Sequence, residues 1–182
     1  MNTPAPSQTE LSRVFKVRPL PGDTVVIEAD ETERKKLAGR FGLTAIESLR
    51  AEIELDAEKS GIRAVGTLNA QLIQPCAISG EDFAVTVAET IDLRFVKEST
   101  LPQSQTEDGE IEIDLSSEDS DEIEYSGDTF DLGEAIAQTL GLAIDPYAEG
   151  PNADAARKAA GIGDEDAPSG PLAEALAALK KG

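Results

Sequence analysis

Cys76 is the only thiol in the chain, set in Gln74-Pro-Cys-Ala-Ile-Ser-Gly-Glu-Asp82. A thiolate could attack an electrophile or bind a soft metal, but it needs a base to activate it or companion ligands to complete a metal site. The chain has no His, and one sulfur cannot build a soft-metal centre. Cys76 is therefore expected to be structural. Asp131 and Glu134 could form a carboxylate pair for general acid–base chemistry. Their three-residue spacing ahead of an apolar run is also that of a capping box, which accounts for both without chemistry.

The run Asp114-Leu-Ser-Ser-Glu-Asp-Ser-Asp-Glu122 offers oxygen ligands for calcium. It lacks the sharp-turn Gly and a bidentate Glu at the right distance. Arg34, Lys35, Lys36 and Arg40 are the densest basic cluster, yet they follow acidic Glu31 and Glu33 along one helical stretch, as the helix dipole favours. No Gly-rich phosphate loop, nucleophile elbow or kinase signature occurs. No catalytic residue, cofactor or metal is expected, and the chain is read as non-enzymatic.

The charge balance narrows the partners. Thirty-six acidic residues against 16 basic give a net charge of −20. A surface of that sign repels phosphate, so naked nucleic acid and anionic membrane are disfavoured and a basic protein is the natural complement. A lone Cys cannot make an internal disulfide, which fits a reducing cytoplasm. No signal peptide is expected at the N-terminus, and no stretch reaches the roughly 20 apolar residues that span a bilayer.

The elements that would position these residues follow from period and punctuation. Residues 1–10 are Pro-rich and polar and are expected to be disordered. Val14–Val17 and Thr24–Glu28 read as short strands. Asp30 and Glu33 open a helix that closes at Gly42, with Leu37 and Phe41 on its buried side. Three runs alternate at period two: Leu49–Leu55, Ile62–Leu72 and Phe83–Phe95. Their short polar connections predict an antiparallel meander with one face on the core, open or curled towards a barrel.

No Lys or Arg lies between Lys97 and Arg157, and residues 98–127 read as a long acidic loop. Weak strands are expected at Ile111–Leu115 and Ile123–Tyr125. Asp131 then caps a helix whose Leu132, Ala135, Ile136, Thr139, Leu140 and Ala143 make one narrow apolar stripe. Pro146 ends it by Ile144. The reading is an α+β protein: one domain over 11–150, then a flexible tail over 151–182 with a short helix around Leu172–Leu179.

In this order the features resemble the YceD family of large ribosomal RNA subunit accumulation proteins. Four places carry the resemblance. They are Gln74-Pro-Cys76 with the strand ending Asp92-Leu-Arg-Phe95, the acidic insertion, the motif Phe130-Asp-Leu-Gly-Glu134 leading to Leu140-Gly-Leu-Ala-Ile-Asp-Pro-Tyr147, and Pro171-Leu…Lys181. The third is the distinctive one, and is similar to the form in alphaproteobacterial members. Many relatives carry Cys-x-x-Cys at the strand turn; Ser79 stands at the second position here, so no metal site carries over.

The resemblance implies a role in large-subunit assembly, with a large-subunit ribosomal protein or pre-ribosomal particle as partner. Glu112, Asp114, Glu118, Asp119, Asp121, Glu122, Asp145 and Tyr147 are the candidate partner-binding residues. Cys76, Asp131, Leu132, Gly133, Glu134, Leu140 and Pro146 are expected to be structural, and packing is the favoured role for Tyr147. The rival reading is an acidic decoy that mimics nucleic acid, with carboxylates regularly spaced along an ordered surface.

Overall fold

Period-two alternation sets the sheet. In the computed structural model, which describes residues 9–59, 61–98 and 121–161, five strands lie side by side in the order β2-β3-β4-β5-β6. These are β2 (Val25–Glu28), β3 (Ala45–Ala57), β4 (Gly61–Pro75), β5 (Asp82–Lys97) and β6 (Asp121–Tyr125). Strands β2 and β3 are antiparallel, as are β3 and β4. Gln71 meets Thr86 and Arg63 meets Asp92, so β4 and β5 also run in opposite senses, as a hairpin requires. The buried side chains are the expected ones: Leu49, Ala51, Ile53 and Leu55 of β3, Ile62, Ala64, Leu68, Ala70 and Leu72 of β4, and Val87, Ile91, Leu93 and Phe95 of β5.

The meander is corrected at its end. Strand β6 pairs parallel to β5, with Leu93 opposite Asp121 and Lys97 opposite Tyr125. Parallel neighbours need a crossover rather than a hairpin, and the acidic stretch supplies that connection. The sheet is mixed and, among the described residues, open rather than closed into a barrel. Two further short strands, β1 (Val14–Lys16) and β7 (Thr129–Asp131), pair with each other and not with the main sheet.

Helix α1 (Glu31–Phe41) forms as its caps dictate. The Asp30 carboxylate accepts from Glu33 N at 2.8 Å, and Glu33 accepts from Asp30 N at 2.9 Å. Gly42 closes the helix in the left-handed region at φ 67°, where a side chain would be strained. Leu37 and Ala38 are buried, and Phe41 is half-buried. Helix α2 (Leu132–Ala143) ends where Pro146 predicts, with Ile144 already extended. Its buried face is wider than one stripe, because Gly133 and Ala137 are covered along with Leu132, Ala135, Ile136 and Leu140.

The described residues fall into two compact units. One comprises residues 9–59, 61–73, 84–98 and 121–144 and holds the sheet core, α1 and α2; the other comprises residues 74–83 and 145–161. The second includes a helix absent from the sequence reading, α3 (Ala153–Ala159), in a stretch read as flexible tail. The expected strand at 111–115 and helix at 172–179 lie outside the described residues, as does most of the N-terminal stretch.

Candidate functional site

Asp131 ends β7 and begins α2, so its carboxylate stands where three segments meet. Oδ1 accepts from Gly133 N at 3.0 Å and Glu134 N at 3.2 Å, the N-cap bonds, and also from Arg13 N at 2.8 Å. Oδ2 takes the Ser12 hydroxyl at 2.6 Å. Beside it, Leu132 N donates to Arg13 O at 3.0 Å. The Leu11–Arg13 segment ahead of β1 passes so close that a Cβ on Gly133 would stand 2.6 Å from Arg13 N and 2.9 Å from Leu11 O. Glycine is therefore required by space at this position.

Glu134 does not return to the cap. Its two oxygens take both terminal nitrogens of Arg40 on α1, at 3.0 and 3.1 Å, and Arg40 reaches Glu10 as well. A guanidinium fork matches a carboxylate in two parallel bonds, and at Glu134 that fork ties α2 to α1 instead of closing a capping box. Arg13 makes a similar fork with Glu33 at 2.6 and 2.9 Å. That guanidinium holds Glu33 below the usual carboxylate range. Arg40 is thus committed, and Arg34 donates to Ala29 O. The basic cluster of α1 is partly structural, and its Lys35 and Lys36 are exposed.

Phe130 completes the motif from the core side. Its ring lies 4.6 Å from Phe95, 6.0 Å from Phe15 and 6.5 Å from Tyr125, centroid to centroid. A chain with 4 % aromatic residues places four of its rings here. Residues 130–134 therefore join β1, β7, α1 and α2.

In the second unit, two loops clasp each other. Ala77 N donates to Ala148 O at 3.1 Å, Gln74 Nε2 to Asp145 O at 3.2 Å, and Asn152 Nδ2 to Glu81 Oε2 at 2.6 Å. The Cys76 side chain is 3 % exposed. Its sulfur accepts from Ile78 N and Ser79 N, both at 3.4 Å. The Ser79 hydroxyl, then the Ser79 and Gly150 amides, favour the thiolate and bring its pKa down to about 7. A depressed thiol stabilises the fold fully above its unfolded value of roughly 8.5. That contribution is lost as pH falls through about 7. Thiolate absorbance should accordingly titrate near neutrality, and Ser79→Ala should move the midpoint upward. Titration of the wild-type chain at the ordinary thiol value would refute the assignment.

Tyr147 is a correction. Its backbone N donates to the Asp145 carboxylate at 2.8 Å, while its side chain is 80 % exposed rather than packed. Tyr147→Ala should change the unfolding midpoint little, since exposed truncations stay within about 0.5 kcal/mol. A clear loss of stability in urea would restore the packing role. Of the other partner-binding candidates, Asp121 and Glu122 are exposed on β6, and Glu122 lies 3.8 Å from Arg94. Glu112, Asp114, Glu118 and Asp119 lie outside the described residues. Asp145 and Tyr147 belong to the second unit.

Residues 64–180 match the family model described as large ribosomal RNA subunit accumulation protein YceD. The chain belongs to the YceD family. No curated protein and no solved structure matches it. The family's description concerns large ribosomal RNA subunit accumulation, and the match covers the Cys76 turn, the acidic crossover and the 130–147 motif together. In this YceD-family chain, Phe130, Asp131 and Glu134 are committed to ring packing, capping and ion pairing. Sequence reasoning found the cap of Asp131 but missed its bonds to Ser12 and Arg13, for which the only trace was the polar pair itself, 118 residues upstream of the motif. Among the described residues no helix is long and apolar enough to cross a membrane.

Proposed function

We propose that the protein supports large-subunit ribosomal assembly, without catalysis, by binding a basic ribosomal protein or a pre-ribosomal particle that displays one. The observation that carries this is the pairing of YceD-family membership with a net charge of −20. The family gives the pathway, and the charge favours a cationic protein over bare RNA. The cytoplasm is the matching compartment. The commitment of Asp131 and Glu134 to structural bonds supports a binding role over acid–base chemistry.

The decoy reading has one observation in its favour. Glu52, Glu54 and Asp56 project at alternate positions of β3, an ordered row of carboxylates. The row is short and interrupted by cations, since Arg50 bonds Glu52 and Arg63 stands opposite Asp56. The tethered protein, incubated with purified large-subunit proteins, should retain a basic one, more at low salt than at physiological ionic strength. Retention of none at either salt would overturn the assembly role.

A further inference from the structure

Among the described residues β6 ends the sheet, paired with β5 on one side only. An edge strand leaves a row of backbone N–H and C=O groups able to pair with another extended chain. Beside it, facing α2, lies a groove of about 240 Å³, with half-buried Ile123 and Tyr125 on its β6 side over a floor of buried Phe95, Phe130 and Ala135. Three carboxylates, Glu124, Asp131 and Glu134, also line it, and no Lys or Arg does.

The nearby cations also serve other carboxylates: Arg13, which interacts with Asp131, is forked to Glu33. The donors within 3.2 Å of Asp131 are a hydroxyl and backbone N–H groups, all neutral. Arg40 is shared between Glu134 and Glu10, and Arg94 between Glu58 and Glu122. Each guanidinium thus serves two carboxylates and leaves a net negative charge. Along β6, Ile123 and Tyr125 are half-buried while Glu122 and Glu124 are exposed.

We propose that the free edge of β6 and the adjoining groove receive an extended basic segment of the protein partner, in which Lys or Arg alternates with apolar residues. Strand geometry sorts such a segment: apolar residues at one parity lie beside Ile123 and Tyr125, and cations at the other meet Glu122 and, at the groove's rim, Glu124. Backbone pairing supplies affinity, and the carboxylates select for cations. This rests on the assembly reading and locates its surface.

The test uses the full chain and a labelled peptide, acetyl-Lys-Val-Arg-Val-Lys-Ile-Arg-amide, followed by fluorescence anisotropy and by backbone amide shifts. The peptide should bind, with shifts concentrated at β6 and the first turns of α2. Glu124→Lys combined with Gln138→Lys, both at residues that line the groove, should weaken it about tenfold. Glu54→Lys combined with Asp56→Lys, a charge change at least as large on β3, should stay within about twofold. A peptide with Pro in place of Val should lose most of its affinity, because Pro cannot donate to the edge. Equal weakening by the two double variants, shifts mapping elsewhere, or no peptide binding would overturn the surface. If the chain still retains a large-subunit protein, the assembly reading stands without this surface; if it retains none, that reading fails as well.

Discussion

Replacing Asp131 by Ala is expected to cost about 2–3 kcal/mol of folding stability and to release the Leu11–Arg13 segment. Loss of an N-cap accounts for about 1 kcal/mol. The part-buried bond from Arg13 N adds about 1 kcal/mol, and that from the exposed Ser12 Oγ, which can turn to water, about 0.5 kcal/mol. Asp131→Asn separates the two oxygens. An amide oxygen still accepts at the Oδ1 position, where three N–H groups converge, but the Oδ2 acceptor for Ser12 is gone. Asn should therefore cost only a minor part of what Ala costs. Urea unfolding measures both variants, and hydrogen exchange at Arg13 N reports the release directly. An Ala variant within about 0.5 kcal/mol of wild type would show that the carboxylate is not the joint described here.

Gly66→Ala should be at least as damaging, at about 3 kcal/mol or more. Gly66 faces Ile53 in the β3–β4 ladder, and a Cβ there would stand 2.0 Å from Glu52 O and 2.9 Å from Ile53 Cα. Both obstacles are main chain, so no rotamer change relieves the clash and the ladder itself must open. Gly39 on α1 is the matched control, because nothing lies within 4 Å of a Cβ at that position. Gly39→Ala should stabilise by about 0.4–1 kcal/mol through lower unfolded-state entropy. Two Gly→Ala changes with opposite signs, read by the same denaturation curve, separate backbone collision from helix propensity. A neutral Gly66→Ala would mean that β3 and β4 do not approach as closely as described.

What could be read from the sequence was local. Alternation placed the long strands because each turns one face to the core. Asp30, Glu33 and Gly42 placed α1 because their bonds close within a few residues. Pro146 stopped α2 for a steric reason confined to its own neighbourhood. What escaped was set by distant chain. Nothing in Asp121–Tyr125 states that it will lie parallel to β5, since period two is the same in either direction. Glu134 looked like the second half of a capping box until α1 brought Arg40 within 3.0 Å. Packing was the favoured role for Tyr147, yet its side chain is 80 % exposed and its backbone N–H turns to Asp145. Helix α3 was missed because its Asn152 makes no side-chain capping bond and Gly and Pro flank it. The candidate site divides the same way. The motif at 130–134 was visible, while the groove beside β6 needed the parallel pairing to exist.

The most direct test of the central claim is sedimentation of a cell extract through a ribosomal gradient, with cross-linking of the protein to its neighbours. The account predicts co-migration with large-subunit precursors and cross-links to a basic protein of that subunit, weakened as salt is raised. A chain that stays at the top of the gradient at both low and physiological salt, or that cross-links to RNA alone, would contradict it.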